Sequence, residues 1–253
     1  MKVSIITVVL NDDVGLKRTI ESVLAQTYDD IEFLVIDGGS SDGTLRVIEE
    51  HKADINFWIS EEDKGIYYAM NKGIKKSTGE WINFMNAGDT FYDKETLKSL
   101  FELNKAAEFD VFYGDRHVRF DGVRPNKIIK AGAIEKLFMG SQFCHQSSFV
   151  RRSLLKEEQF NTTYNIAADF YFFLQCYLEG RKFFYAGIPI ASVESGGVSD
   201  IEQGRVVVEW RSIVRSLAPE KLGLNLEIKF QWRILRGRVT SFIKRSMQNM
   251  RFS

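Results

Sequence analysis

Hydrophobic positions in this chain follow two rhythms that alternate through its first hundred residues. VSIITVVL, Val3 to Leu10, is an unbroken apolar and β-branched run, the pattern of a strand buried on both faces of a parallel sheet. The polar link NDDVG follows, and then Leu16, Ile20, Val23 and Leu24 recur at helical spacing up to Gln26, with Asp12 or Asp13 available as the cap. The unit repeats: IEFLVID, Ile31 to Asp37, is a second strand, the turn GGSSDG leads to a helix from Thr44 to about His51, and a third strand lies near Asn56 to Ser60. DKGIYYAMNKG, Asp63 to Gly73, enters a helix with a glycine stop, and GEWINFM, Gly79 to Met85, is the fourth strand. Alternation of this kind predicts a doubly wound α/β sheet.

Polar residues gather at the carboxyl ends of these strands. DGGSSDGT, Asp37 to Thr44, and FMNAGDTF, Phe84 to Phe91, both deliver acids and glycines to one sheet edge, where loops and helix N-termini converge on ligands in open α/β sheets. Two acidic turns therefore face one crevice. Turn chemistry alone also accounts for Gly38, Gly39 and Gly43, for Ser40 and Asp42 as caps, and for Asp89 as a turn acid.

The pattern is less regular beyond residue 100. FDVFYGDR, Phe109 to Arg116, reads as a strand ending in Asp115, beyond which lies His117; FCHQSSFVRR, Phe143 to Arg152, reads as an apolar strand interrupted by His145 and Gln146, which suggests a lined pocket. From Asn165 to Gly180 the residues Ile166, Phe170, Phe173, Leu174 and Tyr177 form a helical face with Asp169 in the first turn, where the helix dipole favours an ionised acid. FFYAGIPIASVESGG is a final strand and glycine loop. Between Ile228 and Met247 the apolar residues Ile228, Trp232, Leu235, Val239, Phe242, Ile243 and Met247 fall at helical spacing, flanked by Lys229, Arg233, Arg236, Lys244 and Arg245. Such a basic amphipathic helix either lies on an anionic membrane surface or packs on the main domain or a dimer partner.

Composition narrows the classes. With 44% hydrophobic residues and three prolines, the 253-residue chain has the make-up of one large globular domain with a tail. Cys144 and Cys176 have neither the number nor the spacing of a disulfide framework or zinc site, so packing thiols in a reducing compartment are expected. The N-terminus reads as a strand and not a secretory signal, and no run of about 18 apolar residues exists to span a membrane. Formal net charge is zero, yet from Ile201 to Ser253 eleven Lys or Arg stand against four Asp or Glu, leaving that segment at +7 and the rest at −7. The wide apolar face beside those basic residues, and the lack of a nucleic-acid motif, argue against nucleic acid as a partner.

The order of motifs resembles the family 2 inverting glycosyltransferases of GT-A fold, particularly the bacterial enzymes that build surface polysaccharides. The matching pieces are SIITVVLN, ESVLAQTYDDIEFLVIDGGSSDGT, SEEDKGIYYAMNKGI, GEWINFMNAGD, YGD, CHQSSFVRR and AADFYFFL, over roughly residues 3 to 200. The resemblance implies a Rossmann-like, mostly parallel GT-A sheet with helices on both faces. Residues 1–200 would form the catalytic domain and 201–253 a basic helical extension.

It also implies transfer of a sugar, with inversion, from a nucleotide sugar such as a UDP-sugar to a glycan or polyprenyl-linked glycan acceptor. Thr7, Val8 and Asn11 would then form the nucleoside pocket, Asp37 would contact base or ribose, and Asp63, Lys64 and Asn71 would close on the nucleotide. Asn86, Ala87, Gly88 and Asp89 fall on the family's acidic metal motif, Asp169 on its general base, and His145 and Gln146 on contacts to diphosphate or acceptor. The chain departs from the commonest motif, because Asn86 and Gly88 stand where aspartates are frequent and Asp89 alone is charged. One Asp with diphosphate oxygens and water still suits Mg²⁺ or Mn²⁺. The reduced motif also motivates a second reading, a catalytically silent nucleotide- or glycan-binding partner of an assembly complex, against which the retained Asp169 argues. A nucleotidyltransferase would need an early basic, glycine-rich phosphate loop that the chain lacks. A cytoplasmic enzyme, peripheral on the membrane's inner face, is the expected setting.

Overall fold

A computed structural model describes residues 1–102, 108–120 and 124–251, and the side chains of Val198 and of 241–251 lie outside what it describes. Among the described residues, nine strands form one sheet in the order β3-β2-β1-β4-β8-β6-β9-β5, with β7 alongside β6. The parallel half comprises β1 (Val3–Val9), β2 (Ile31–Asp37), β3 (Phe57–Ser60) and β4 (Trp81–Phe84). Between them run α1 (Asp13–Leu24), α2 (Thr44–Glu50) and α3 (Ile66–Lys76), as the alternating rhythm predicts. Asp12 caps α1 by accepting from the Gly15 amide at 2.9 Å.

The continuous apolar run of β1 is explained by burial on both faces. Ile6 and Val8 belong to the core under α3 and α6 (Ala168–Leu178), whereas Val3, Ile5 and Val9 belong to the opposite core under α1, α2 and α4 (Thr96–Phe101). Gly73 does not stop α3, which continues to Lys76. A Cβ there would lie 2.5 Å from Ile6 Cγ2, so this glycine lets the helix lie close on β1.

The second half of the sheet is mixed. β8 (Ser148–Arg151) runs antiparallel to both β4 and β6 (Val111–Arg119), β6 pairs in parallel with β9 (Phe183–Glu194), and β5 (Thr90–Phe91) and β7 (Lys127–Ile129) add antiparallel edges. The strand expected from Phe143 begins only at Ser148, because His145–Ser147 wind into a 3₁₀ turn whose last residues fold back, Ser148 Oγ donating to His145 O at 2.8 Å. The motif that reads as an interrupted strand is thus a turn feeding a strand. A short helix, α5 (Arg152–Glu157), follows it.

After a short turn of helix, α7 (Val198–Ile201), the chain closes with α8 (Gln203–Leu217) and α9 (Leu224–Arg251). Leu226, Phe230 and Ile234 of α9 join Val207, Ile213 and Val214 of α8 in the same core as β1 and α6. The two helices meet at glycines: a Cβ on Gly237 would stand 2.7 Å from the Gly204 nitrogen. The apolar face read from the sequence lies outward, with Ile228 46%, Trp232 69%, Leu235 58% and Val239 54% exposed. Phe242, Ile243, Lys244, Arg245 and Met247 belong to that face in sequence, but their side chains are outside the described residues.

Candidate active site

The Asn86–Asp89 turn is set by the strands that carry it. Thr7, fully buried on β1, donates through Oγ1 to Met85 O at 2.7 Å, and the Ala87 amide donates to Val8 O at 3.1 Å. These two residues therefore shape the turn from beneath. Gly88 takes φ +89°, a left-handed conformation that glycine adopts without Cβ strain, and the Asp89 amide closes on Asn86 O at 3.0 Å. From behind, the Arg119 guanidinium donates to Gly88 O, to Thr90 Oγ1 at 3.0 Å and to Ser192 O and Oγ.

Asp89 and Asp169 are linked through one dipeptide. Gln146 Nε2 donates to Asp89 Oδ2 at 2.8 Å, and its neighbour His145 places Nδ1 3.1 Å from Asp169 Oδ2. His145 Nε2 lies 3.1 Å from Asn86 Nδ2, and Tyr67 Oη donates to Asp169 Oδ1 at 3.0 Å. These bonds agree on one tautomer: Nδ1–H donates to the carboxylate, and Nε2 accepts from the Asn86 amide. Asn86 Oδ1 then faces away from His145, and it is buried without a hydrogen-bond partner.

Burial pushes the Asp89 carboxyl above its usual range, against the opposing hydrogen bonds from Gln146 and the Glu194 amide and the charge of Arg119. Burial first, and then the Asp169 charge, raises the Tyr67 phenol well above its usual value, so it remains a donor to Asp169. The Asp169 carboxylate accepts from Tyr67, from the Phe170 amide at 2.8 Å and from His145. Of about four acceptor positions on a carboxylate, this leaves one at Oδ2 uncommitted.

A partly buried carboxylate and an orphaned amide oxygen on one turn are hard oxygen donors, suited to Mg²⁺ or Mn²⁺. Among the described residues no group of three or more His, Cys, Asp or Glu is arranged to hold an ion. A cation at Asp89 and Asn86 would take its remaining oxygens from ligand and water.

The residues expected to line a nucleoside pocket are placed differently from their simplest expectation. Asp37 has no exposed surface; its carboxylate accepts from the Ser40 amide and hydroxyl and from Ser60 Oγ at 2.6 Å. Ser40 in turn accepts from the Asn11 amide at 2.7 Å, and exposed Asn11, at φ +52°, accepts from the Ser41 amide at 2.8 Å. Asp63 pairs with Lys72 at 2.8 Å, a lysine that also holds Glu61 at 2.6 Å, while Lys64 stands exposed beside them.

Asn71 is a correction. Its amide is buried and spent on the Phe160 backbone, donating at 2.9 Å and accepting at 3.0 Å, so it braces the 160 loop in place of a ligand. Asp115 is also internal, accepting from Tyr185 Oη at 2.6 Å and the Ala131 amide at 2.9 Å. His117 lies 2.8 Å from Ser192 Oγ and lines a separate cavity of about 480 Å³ behind the Asp89 turn, with Arg18, Tyr92 and Arg119.

Tyr67, Lys72 and Arg119 are site supports that periodicity does not expose. Tyr67 and Lys72 hide within a helical motif that reads as core packing, and Arg119 meets the turn only through long-range strand pairing.

The family model described as glycosyl transferase family 2 matches residues 4–174. A PGL/p-HBAD biosynthesis glycosyltransferase of Mycobacterium bovis is 29% identical over 232 residues, covering 89% of this chain and 88% of that protein. Two solved structures share the fold. S. aureus TarS 1–349 in complex with UDP-GlcNAc has a TM-score of 0.63 at 18% identity, covering 94% of this chain and 72% of that one. A mannosyltransferase from Pyrobaculum calidifontis, in complex with GDP-Man and Mn²⁺, has a TM-score of 0.68 at 15% identity, covering 94% and 73%.

Proposed function

The chain belongs to glycosyl transferase family 2, and from the geometry of its crevice we propose that it transfers a sugar, with inversion, from a UDP-sugar to a glycan or polyprenyl-linked glycan acceptor in bacterial polysaccharide biosynthesis. One observation carries this reading: His145 and Gln146 hold two carboxylates apart, Asp169 on one side and Asp89 on the other.

Asp169 is the general base. Its free Oδ2 position accepts the acceptor hydroxyl's proton as that oxygen attacks the anomeric carbon, while Tyr67 and His145 fix the carboxylate's direction. A single displacement with no enzyme nucleophile inverts the anomeric centre. Asp89 and Asn86 sit where the leaving diphosphate gathers charge, and are the residues that would hold a divalent cation. When bound, such an ion supplies electrostatic stabilisation of the leaving diphosphate. Asn11, Ser40 and Ser60 form the nucleoside wall, with Asp37 fixing it from inside and the Asp63–Lys72 pair forming its outer rim.

No described helix is long and apolar enough to cross a membrane. The free face of α9, Ile228, Trp232, Leu235 and Val239, with Lys229 and Arg236 beside it and no acid after Glu227, suits an anionic bilayer surface near a lipid-linked acceptor. Packing uses the other face of that helix, which favours this role over a purely internal one.

The donor reading is tested by thermal denaturation with UDP-, GDP- and dTDP-sugars, each with and without Mn²⁺. UDP-sugars are expected to raise the melting temperature, and more so with Mn²⁺. No stabilisation by any nucleotide sugar would contradict it.

A further inference from the structure

Arg116 stands near this site without a partner. It lies on β6 directly after Asp115, whose carbonyl accepts from Ser147 Oγ at 3.0 Å, so its backbone adjoins the turn that carries His145 and Gln146. Its charge acts on the Cys144 thiol at the start of that turn, where burial raises the thiol's pKa and Arg116 opposes the rise. The Arg116 Nε is buried with no hydrogen-bond partner, and among the described residues the guanidinium forms no ion pair. Its strand neighbours are committed elsewhere: Asp115 to Tyr185 and Ala131, and His117 to Ser192. A half-buried guanidinium offering several donors and meeting no acceptor is an oxyanion site.

The sheet order indicates which substrate supplies the oxyanion. The nucleoside wall rises from β1 and β2, the Asp89 turn leaves β4, and Arg116 sits on β6, two strands beyond β4 across β8. Adjacent strands lie about 4.8 Å apart, which puts its backbone roughly 10 Å past the Asp89 turn, with the His145–Gln146 turn that leads into β8 between the two. We propose that Arg116 binds an acidic group of the acceptor, a phosphate or a carboxylate, and so selects anionic acceptors for the base Asp169. This rests on the transferase reading above, in which Asp169 faces the acceptor.

The test titrates glycerol 1-phosphate and glucuronate, and their neutral counterparts glycerol and glucose, into the protein with and without saturating UDP. At least one anionic probe is expected to bind roughly tenfold more tightly than its neutral counterpart, with UDP present. Arg116→Gln should erase that preference at unchanged UDP affinity, and Arg116→Lys should retain part of it. The probe that shows the preference identifies phosphate or carboxylate as the group recognised. Equal binding of charged and neutral probes, a preference that survives in Arg116→Gln, or displacement of the probe by UDP would overturn the proposal. Loss of UDP binding in the wild-type protein would instead contradict the donor reading, because the probes alone still report on Arg116.

Discussion

His145 Nδ1 lies 3.1 Å from Asp169 Oδ2, and its other ring nitrogen lies 3.1 Å from the Asn86 amide, so one imidazole joins the proposed base to the proposed diphosphate turn. Residues coupled in this way should not act additively. His145→Ala is expected to lower turnover by about tenfold to a hundredfold, and Asp169→Asn by about 10²–10⁴-fold. The double variant should be scarcely worse than Asp169→Asn alone. Transfer rates of the three variants check this, and full additivity would separate the two side chains.

Inversion is read from the product. A donor with an α-linked sugar should yield a β-linked product, observed by proton NMR of the anomeric coupling. An α-linked product would require a different displacement from the one assigned to Asp169.

The buried cluster around Glu32 makes acid stability predictable. Burial opposes ionisation there, but hydrogen bonds from Ser4 and Thr78 and the charge of Lys2 hold the carboxyl down at about 2. A folded pKa below the unfolded value means that Glu32 stabilises the fold above about pH 4.3. That stability is lost as pH falls from there through about 2. Glu32→Gln should therefore lower the melting temperature at pH 7 and show a smaller loss on acidification. By hydrogen-bond magnitudes the change is about 1–3 kcal/mol. Identical acid-denaturation curves for the two proteins would remove Glu32 from the account.

The exposed α9 face yields a surface prediction. Trp232→Ser with Leu235→Ser should abolish sedimentation with vesicles containing anionic phosphatidylglycerol, while leaving the fold intact, since Leu226, Phe230 and Ile234 carry the packing. Undiminished vesicle binding would reject the membrane role. Concentration-dependent self-association of the wild type, lost in the variant, would assign the face to a second copy.

The parallel half of the fold was legible because β1 and β2 are apolar on both faces and each is followed by a helical period, all between Val3 and Glu50. The mixed half was not, since β8 and β6 are defined by partners far away in the chain. Gly73 illustrates a local ambiguity: the same residue type ends helices and permits close packing, and only its contact with Ile6 distinguishes the two. In α9 the apolar residues Leu226, Phe230 and Ile234 form a second stripe beside the predicted one, and contact with α8 selected that stripe for burial. At the site, acids at strand ends were visible as candidates, but the bonds from Gln146 to Asp89 and from Tyr67 to Asp169 join segments 57 and 102 residues apart. Asn71 was misplaced because a polar residue on a buried helical face reads equally well as a ligand contact or a loop brace.

The division of labour between Asp89 and Asp169 is the central claim, and titration of UDP with Mn²⁺ into wild type, Asp89→Asn and Asp169→Asn tests it most directly, with transfer rates measured on the same preparations. The account predicts that UDP affinity in Mn²⁺ falls about tenfold or more only in Asp89→Asn, while transfer is lost in both variants. Equal UDP affinity in all three proteins, or near-normal transfer by Asp169→Asn, would contradict it.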